Sequence, residues 1–252
     1  MTSKNLVVQF YCSLGGYSQP KRLKKHDEVM SLSTKLARHY AEKNGADYVL
    51  VTEPRINFRH PTYERFDLWE NDYWAKYDRI LYLDTDVFCW PEAPNIFKEF
   101  PGQEFKVARH SAWEEYRGDP DDRFEDGDFK GMLRKDLNAI SFNAGVFMLT
   151  KQARDLMAPF LKYRSSPDNS DDSKELHRLI LESKVPLLII DPTWNMKNAV
   201  QGTAHFSHLW GNSKHKQGRK FPPVVQARNA LKSLNLIQDS SWFTRMVTRI
   251  LG

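Results

Sequence analysis

The run from Tyr77 to Phe88 reads YDRILYLDTDVF, and its chemistry sits at the end. Ile80 to Leu83 would make an ordinary buried strand, yet two carboxylates close it, Asp84 and Asp86. Side chains two apart on a strand share a face and stand about 7 Å apart, so the pair alone repels only mildly. If the chain turns at Thr85, both carboxylates converge on one hard cation. Mg2+ and Mn2+ take oxygen ligands, and Mg2+ is commonly held by one or two carboxylates together with substrate phosphates. The plain alternative is that both residues cap a turn or a helix at Pro91. An Asp-x-Asp tripeptide alone does not decide between the two.

The context does more. ILYLDTDVF is followed by FNAGVFML about sixty residues later, then by DPTWN and by HLWGNSK. In that order the four segments resemble the GT-A type of glycosyltransferase. More narrowly, they resemble the retaining family that includes glycogenin and bacterial galactosyltransferases, glycosyltransferase family 8. The likeness spans roughly residues 6 to 215. It implies that Asp84 and Asp86 hold the Mn2+ or Mg2+ of a UDP-sugar. Asp86 is the expected direct ligand, and Asp84 is expected to be shared with the ribose. The His-x-x-Gly-x-x-Lys segment, here His208, Gly211 and Lys214, would supply a third metal ligand and a lysine for the diphosphate. His205 lies three residues earlier, and the spacing to Gly211 and Lys214 favours His208. The chemistry is coherent: two carboxylates and a neutral imidazole leave positions on an ion for phosphate oxygens, and the ion stabilises the leaving group as a Lewis acid. Lys214 adds a point charge beside the same phosphates.

Further residues follow from the likeness one by one. Arg65 matches a basic residue that contacts the donor diphosphate or sugar, the alternative being a solvated helix arginine. Asn143, Ala144 and Gly145 match a triplet whose small residues let backbone approach the sugar while Asn143 bonds its hydroxyls. A polar, flexible triplet inside an apolar strand is costly without a reason. Asp172 stands where the family has Asp followed by Gln, and this chain reads DDSKEL. Asp171 or Asp172 as a helix N-cap with Glu175 completing a capping box is an equal reading. Trp194 and Asn195 match a Trp-Asn pair expected to border the acceptor. Tyr17 would line the nucleotide, and Tyr11 could stack on its base instead. The family's base-reading Asp has no equivalent in FYCSLGGY, so UDP is the default and GDP stays open. Lys214-His215-Lys216 replaces the usual Lys-Pro-Trp, which leaves the acceptor open among glycan, glycolipid and protein-linked hydroxyls. Retention is implied by the likeness, with the leaving phosphate taking the acceptor's proton. Were the reaction inverting, Asp126 or Asp128 would be the base.

These residues need a scaffold. Residues 6–12 and 46–52, RILYLD, 105–109, 139–150 and 185–191 read as strands, the fifth interrupted by Asn143 to Gly145. Helical spacing covers 21–44, 63–75, 92–99, 151–163 and 171–183. Residues 111–131 read as a long acidic loop, either a solvated insertion or a lid. Strands alternating with helices predict an α/β fold, a mixed Rossmann-like sheet flanked by helices. In such sheets ligands sit at the carboxyl ends of strands, where Asp84 and Asp86 fall.

Composition agrees. With 252 residues, 40% of them apolar, the chain can bury one large core. Two cysteines imply no disulfide framework, and no run approaches the roughly 20 apolar residues of a membrane span, so a cytosolic location is expected. The net charge of +5 belongs to the end: from Lys214 onward eight Lys or Arg face one Asp, giving +7 and leaving −2 elsewhere. We expect a catalytic domain over 1–220 and a basic amphipathic extension over 221–252. Trp242, Phe243, Met246, Val247, Ile250 and Leu251 fall at helical spacing beside Arg245 and Arg249. Such a terminus either sits on an anionic membrane surface or docks as a final helix. A nucleotidyltransferase of similar fold is the rival enzyme, but SLGGYSQPKR only faintly echoes its Gly-rich basic loop. A nucleic-acid partner for the tail would leave the four ordered motifs unexplained and is not expected.

Overall fold

The computed structural model describes residues 4–11, 20–55, 61–70, 72–109, 142–161, 172–209 and 221–237. Its centre is a six-stranded sheet. In chain order its strands are β1 (Asn5–Phe10), β2 (Asp47–Val51), β3 (Arg79–Leu83), β5 (Phe105–Arg109), β6 (Phe142–Thr150) and β7 (Leu187–Ile190), and in space they run β2-β1-β3-β6-β5-β7. β1 pairs in parallel with β2 and β3, and β5 with β7, while β6 runs antiparallel to both β3 and β5. This mixed α/β architecture is the expected one.

The central strands read as near-continuous apolar runs because both of their faces are covered. Leu6, Val8, Ile80, Tyr82, Phe147 and Leu149 face one layer of the core. Val7, Leu81, Leu83, Val146 and Met148 face the other. The first face is closed by α4 (Lys151–Met157), α5 (Asp172–Ser183) and a short helical segment from Pro61 to Trp74. The second is closed by α1 (Pro20–Lys43) and α3 (Ile96–Glu99). Behind α1 lies α6 (Pro222–Ser233), whose Val224, Ala227 and Leu231 pack with Val29, Leu32 and Leu36. The Arg228–Glu28 ion pair, 2.5 Å, pins the same two helices together. The buried face of α6 thus packs on α1. The terminal amphipathic run lies outside the described residues, as does the 111–131 loop with Asp126 and Asp128. No helix among the described residues is long and apolar enough to cross a membrane.

Two expectations are corrected, and one sheet is new. The helix expected over 63–75 is broken into a 3-10 turn (Pro61–Phe66), the single turn α2 (Asp67–Glu70) and a second 3-10 turn (Asp72–Trp74). Acidic side chains here serve other partners: Glu64 accepts from Arg55 N at 2.8 Å and Asp67 from Trp74 Nε1 at 2.8 Å. Such local bonds compete with a continuous helix. β6 runs unbroken through Asn143 to Gly145, because Asn143 Oδ1 accepts from Gly145 N at 2.9 Å and Asp84 N donates to Gly145 O at 2.8 Å. Finally, a second sheet of β4 (Val87–Cys89), β8 (Met196–Lys197) and β9 (Phe206–His208), in the order β4-β9-β8, was not expected from the sequence.

One buried titratable group lies in α5. His177 stacks on Phe142, centroids 4.1 Å apart, and its Nδ1 lies 2.7 Å from Ser173 O. Burial pushes its pKa down from 6.5 to about 4, so the fold holds the ring neutral. Between those values the unfolded chain binds the proton and the folded chain does not, so stability is intact above pH 6.5 and falls as pH drops toward 4. The loss from this group is about 3 kcal/mol. Urea unfolding across that window should show His177→Phe with a shallower pH dependence by that amount, and equal slopes would refute the assignment.

Candidate metal centre

The edge where β3 ends is built by strand direction. Because β6 is antiparallel to β3, its first residues lie beside the last residues of β3, with Leu83 opposite Val146. Asp84 therefore meets Gly145 through chain pairing alone. The chain then turns, Val87 N donating to Asp84 O at 3.1 Å, and leaves as β4. β9 pairs antiparallel with β4 so that Val87 faces His208, and Leu209 N donates to Asp86 O at 3.0 Å. Two small pairing events thus carry an imidazole across more than a hundred residues of sequence to both carboxylates.

His208 Nε2 lies 3.1 Å from Asp86 Oδ1 and 3.5 Å from Asp84 Oδ2. One ligand atom from each of the three residues lies within 4.8 Å of the others, and among the described residues no second such group occurs. His205 is not part of it. Asp84 divides its two oxygens. Oδ1 accepts from Tyr82 Oη at 2.6 Å and from Arg65 Nη2 at 3.1 Å, while Oδ2 faces His208. Two oxygens and one imidazole nitrogen are a donor set that Mn2+ or Mg2+ accepts, and the three fit such an ion. Gly145 makes the cradle: a Cβ there would clash with the edge of the His208 ring, 2.0 Å from Cε1 and 2.7 Å from Nδ1, and lie 2.8 Å from Asp84 Oδ2. The absence of a side chain at Gly145 lets the His208 ring and the Asp84 carboxylate come close to its backbone.

Charge in the centre is tightly balanced. Burial disfavours the His208 imidazolium, but Asp86 and then Asp84 outweigh it and pull its pKa up to about 9. Burial would raise the Asp84 pKa, yet Arg65 and His208 hold it below the usual carboxylate value. Arg65 is itself buried at 3% exposure. Burial works against its charge, and Asp172, Tyr82 and Asp84 hold it firmly protonated. Its guanidinium lies over the Tyr82 ring at 4.7 Å, donates to Ala144 O at 2.8 Å and pairs with Asp172 Oδ2 at 2.7 Å. Arg65 is therefore no solvated helix arginine, and its fork joins Asp84 to the start of α5. Asp172 is the first helical residue with its carboxylate turned to Arg65, and Glu175 pairs with Arg178, while Asp171 lies outside the described residues.

The other expected site residues have the following surroundings. Trp194 is buried at 3% exposure against Phe100, His205 and Phe206, and Asn195 has no exposed surface. Ala144 is also buried, and Asn143 is half-buried with Oδ1 committed to Gly145 N. Tyr11 is half-buried just beyond β1, its N–H donating to Val51 O at 2.8 Å. Tyr17, Gly211 and Lys214 lie outside the described residues.

Sequence reasoning missed Gln9, Ser33 and Tyr82. Gln9 is fully buried in β1, donating to Asp84 O at 3.0 Å and to Ser33 Oγ at 2.9 Å while accepting from Tyr48 Oη at 2.8 Å. Ser33 Oγ in turn donates to Val87 O at 2.6 Å. Together they hold the backbone of the turn that carries both aspartates. The available signal was a glutamine inside LVVQF, since an amide buried in an apolar strand needs partners.

Comparison with solved structures places this architecture. A glycosyltransferase involved in the glycosylation of the major capsid of PBCV-1 superposes with a TM-score of 0.53 over 90% of this chain and 98% of that one, at 13% identity. The fold is that of a GT-A glycosyltransferase. The apo-form glycosyltransferase GlyE of Streptococcus pneumoniae TIGR4 aligns over 97% of this chain and 64% of its own, at 14% identity and a TM-score of 0.47. No protein-family model matches the chain, and no curated protein does. Within the GT-A fold, the Asp84–Asp86–His208 group occupies the carboxyl edge of the sheet.

Proposed function

We propose that this chain is a metal-dependent glycosyltransferase that moves a sugar from a nucleotide-sugar, by default a UDP-sugar, to a hydroxyl acceptor. The observation that carries the reading is the convergence of Asp84, Asp86 and His208 at one strand end of a GT-A fold. Asp84 Oδ2, Asp86 and His208 Nε2 would hold Mn2+ or Mg2+, which when bound supplies Lewis-acid stabilisation to a departing diphosphate. Arg65, fixed between Asp84 and Asp172, keeps the Asp84 carboxylate charged and aimed. Its positive charge lies near the same edge, where a diphosphate is favoured. Lys214 and Gly211 complete the diphosphate side in this reading, and Tyr11 and Tyr17 the nucleotide side. Asn143, Ala144 and Gly145 form the floor beneath the sugar, with Asp172 beside them. Retention rests on the family likeness, and a glycan, glycolipid or protein-linked hydroxyl is the acceptor class.

A thermal-shift screen of nucleotide-sugars with and without Mn2+ tests the reading. A true donor at a hundred times its Kd should stabilise the fold by about 2.7 kcal/mol, and only when metal is present. Release of free UDP on incubation supports transfer, whereas pyrophosphate from a nucleoside triphosphate would support the nucleotidyltransferase alternative. No metal-dependent stabilisation by any nucleotide-sugar would overturn the proposal.

A further inference from the structure

Asn195 has a role in the structure that its match to an acceptor-side residue did not suggest. It closes a 3-10 turn (Pro192–Asn195) whose start is fixed by Asp191, which accepts from Thr193 N at 2.8 Å, and by Pro192 at the first position. Trp194, wedged in the core, leaves this turn little freedom. The Asn195 amide is fully buried and has two partners on opposite sides. Nδ2 donates to Asn143 O at 3.0 Å, and Oδ1 lies 2.9 Å from His208 Nδ1.

These two contacts fix the proton on Nδ1. A backbone carbonyl can only accept, so the NH2 end of the amide must face Asn143. The oxygen end then faces His208, and because that oxygen carries no hydrogen, Nδ1 must be the donor. When a cation displaces the Nε2 proton that Asp86 and Asp84 favour, the proton left on the ring is the one held on Nδ1, and the lone pair appears on Nε2, the atom aimed at both carboxylates. Flipping the amide would set oxygen against oxygen at Asn143 and force the opposite tautomer, whose Nε2 cannot ligate. The link also runs back into the cradle. Asn143 receives Asn195 through its carbonyl and holds Gly145 N through its side chain, and Gly145 lies under the His208 ring.

We infer that Asn195 is a positioning residue that selects the Nδ1–H tautomer of His208 and so makes Nε2 competent to bind a divalent cation. The inference rests on the reading that Asp84, Asp86 and His208 form a metal site. Partners of this kind set imidazole orientation and basicity in metal centres, and losing one weakens metal affinity about 10- to 100-fold.

The test uses the full chain with Mn2+ alone, titrated by electron paramagnetic resonance, with electron spin-echo modulation reporting directly bound nitrogen. Asn195→Leu keeps the volume and removes the acceptor. It should weaken Mn2+ binding about 10- to 100-fold and diminish the nitrogen modulation. Asn195→Asp keeps an acceptor for Nδ1–H but loses the donor to Asn143. It should melt at lower temperature yet bind Mn2+ with near wild-type affinity and full nitrogen modulation. Wild-type binding and modulation in Asn195→Leu would overturn the inference while leaving the metal site standing. Equal weakening in both variants would overturn it too, since packing alone would then explain the effect. A wild-type protein that binds no Mn2+ would overturn the metal-site reading and this inference together.

Discussion

Asp86→Ala should abolish metal-dependent nucleotide binding and reduce sugar transfer by about a thousandfold or more. A metal's Lewis-acid share is worth several kcal/mol, and each 1.4 kcal/mol is about tenfold in rate. The fold should survive. The backbone of this residue is held by Leu209 N, which donates to its carbonyl at 3.0 Å, and truncating the side chain leaves that bond in place. The truncation also removes the largest anionic influence on His208, so the imidazole loses its main reason to stay charged. A neutral ring still bonded to Asn195 is compatible with the same packing. Asp86→Asn separates charge from shape: it keeps the volume, and should be nearly as inactive as alanine. Steady-state turnover, Mn2+ titration and circular dichroism on the three proteins decide the matter. Normal turnover in Asp86→Ala would remove Asp86 from the chemistry altogether.

The sequence made the Asp84–Asp86–Gly145 part of the centre legible for a physical reason. Apolar runs closed by polar residues mark where strands leave the core, and antiparallel pairing of β3 with β6 puts two such points side by side. His208 was reached through motif spacing alone. The strands that deliver it, β4 and β9, are three residues each, too short for periodicity to announce them. Trp194 and Asn195 were matched to an acceptor-side pair, while the structure shows a buried ring and a buried amide on a 3-10 turn. A Trp-Asn pair after Asp-Pro does not announce that a core ring and a buried amide will occupy those positions. Arg65 shows the same gap, since a basic residue near the site was visible while its partners Asp172 and Ala144 come from distant elements. Gln9 could have been found by asking what a buried amide bonds to. The answer, the Asp84 carbonyl, needs the parallel neighbour β3 beside β1.

Gly145→Ala should damage the centre as severely, by a steric route. This glycine does not have a left-handed backbone, so alanine meets no torsional penalty and the whole effect is one of space. The added methyl would clash with the edge of the His208 ring and come within 2.8 Å of Asp84 Oδ2, and neither group can retreat. The ring is held by Asn195, and the carboxylate by Tyr82 and Arg65. If the backbone moves instead, the 2.8 Å bond from Asp84 N to Gly145 O is the casualty, and with it the junction of β3 and β6. Overpacking of this kind costs about 1–3 kcal/mol. Displacing two of three ligands should weaken Mn2+ binding by more than the roughly 10- to 100-fold expected for a lost outer partner. A double-mutant cycle isolates the cause. His208→Ala opens the space, so adding Gly145→Ala to it should cost far less stability than Gly145→Ala alone, a coupling within the roughly 0.5–3 kcal/mol range seen for touching residues. Additive melting shifts, or wild-type Mn2+ affinity in Gly145→Ala, would show that the ring does not sit over this glycine. The geometry of the centre would then have to be redrawn from the strand ends outward.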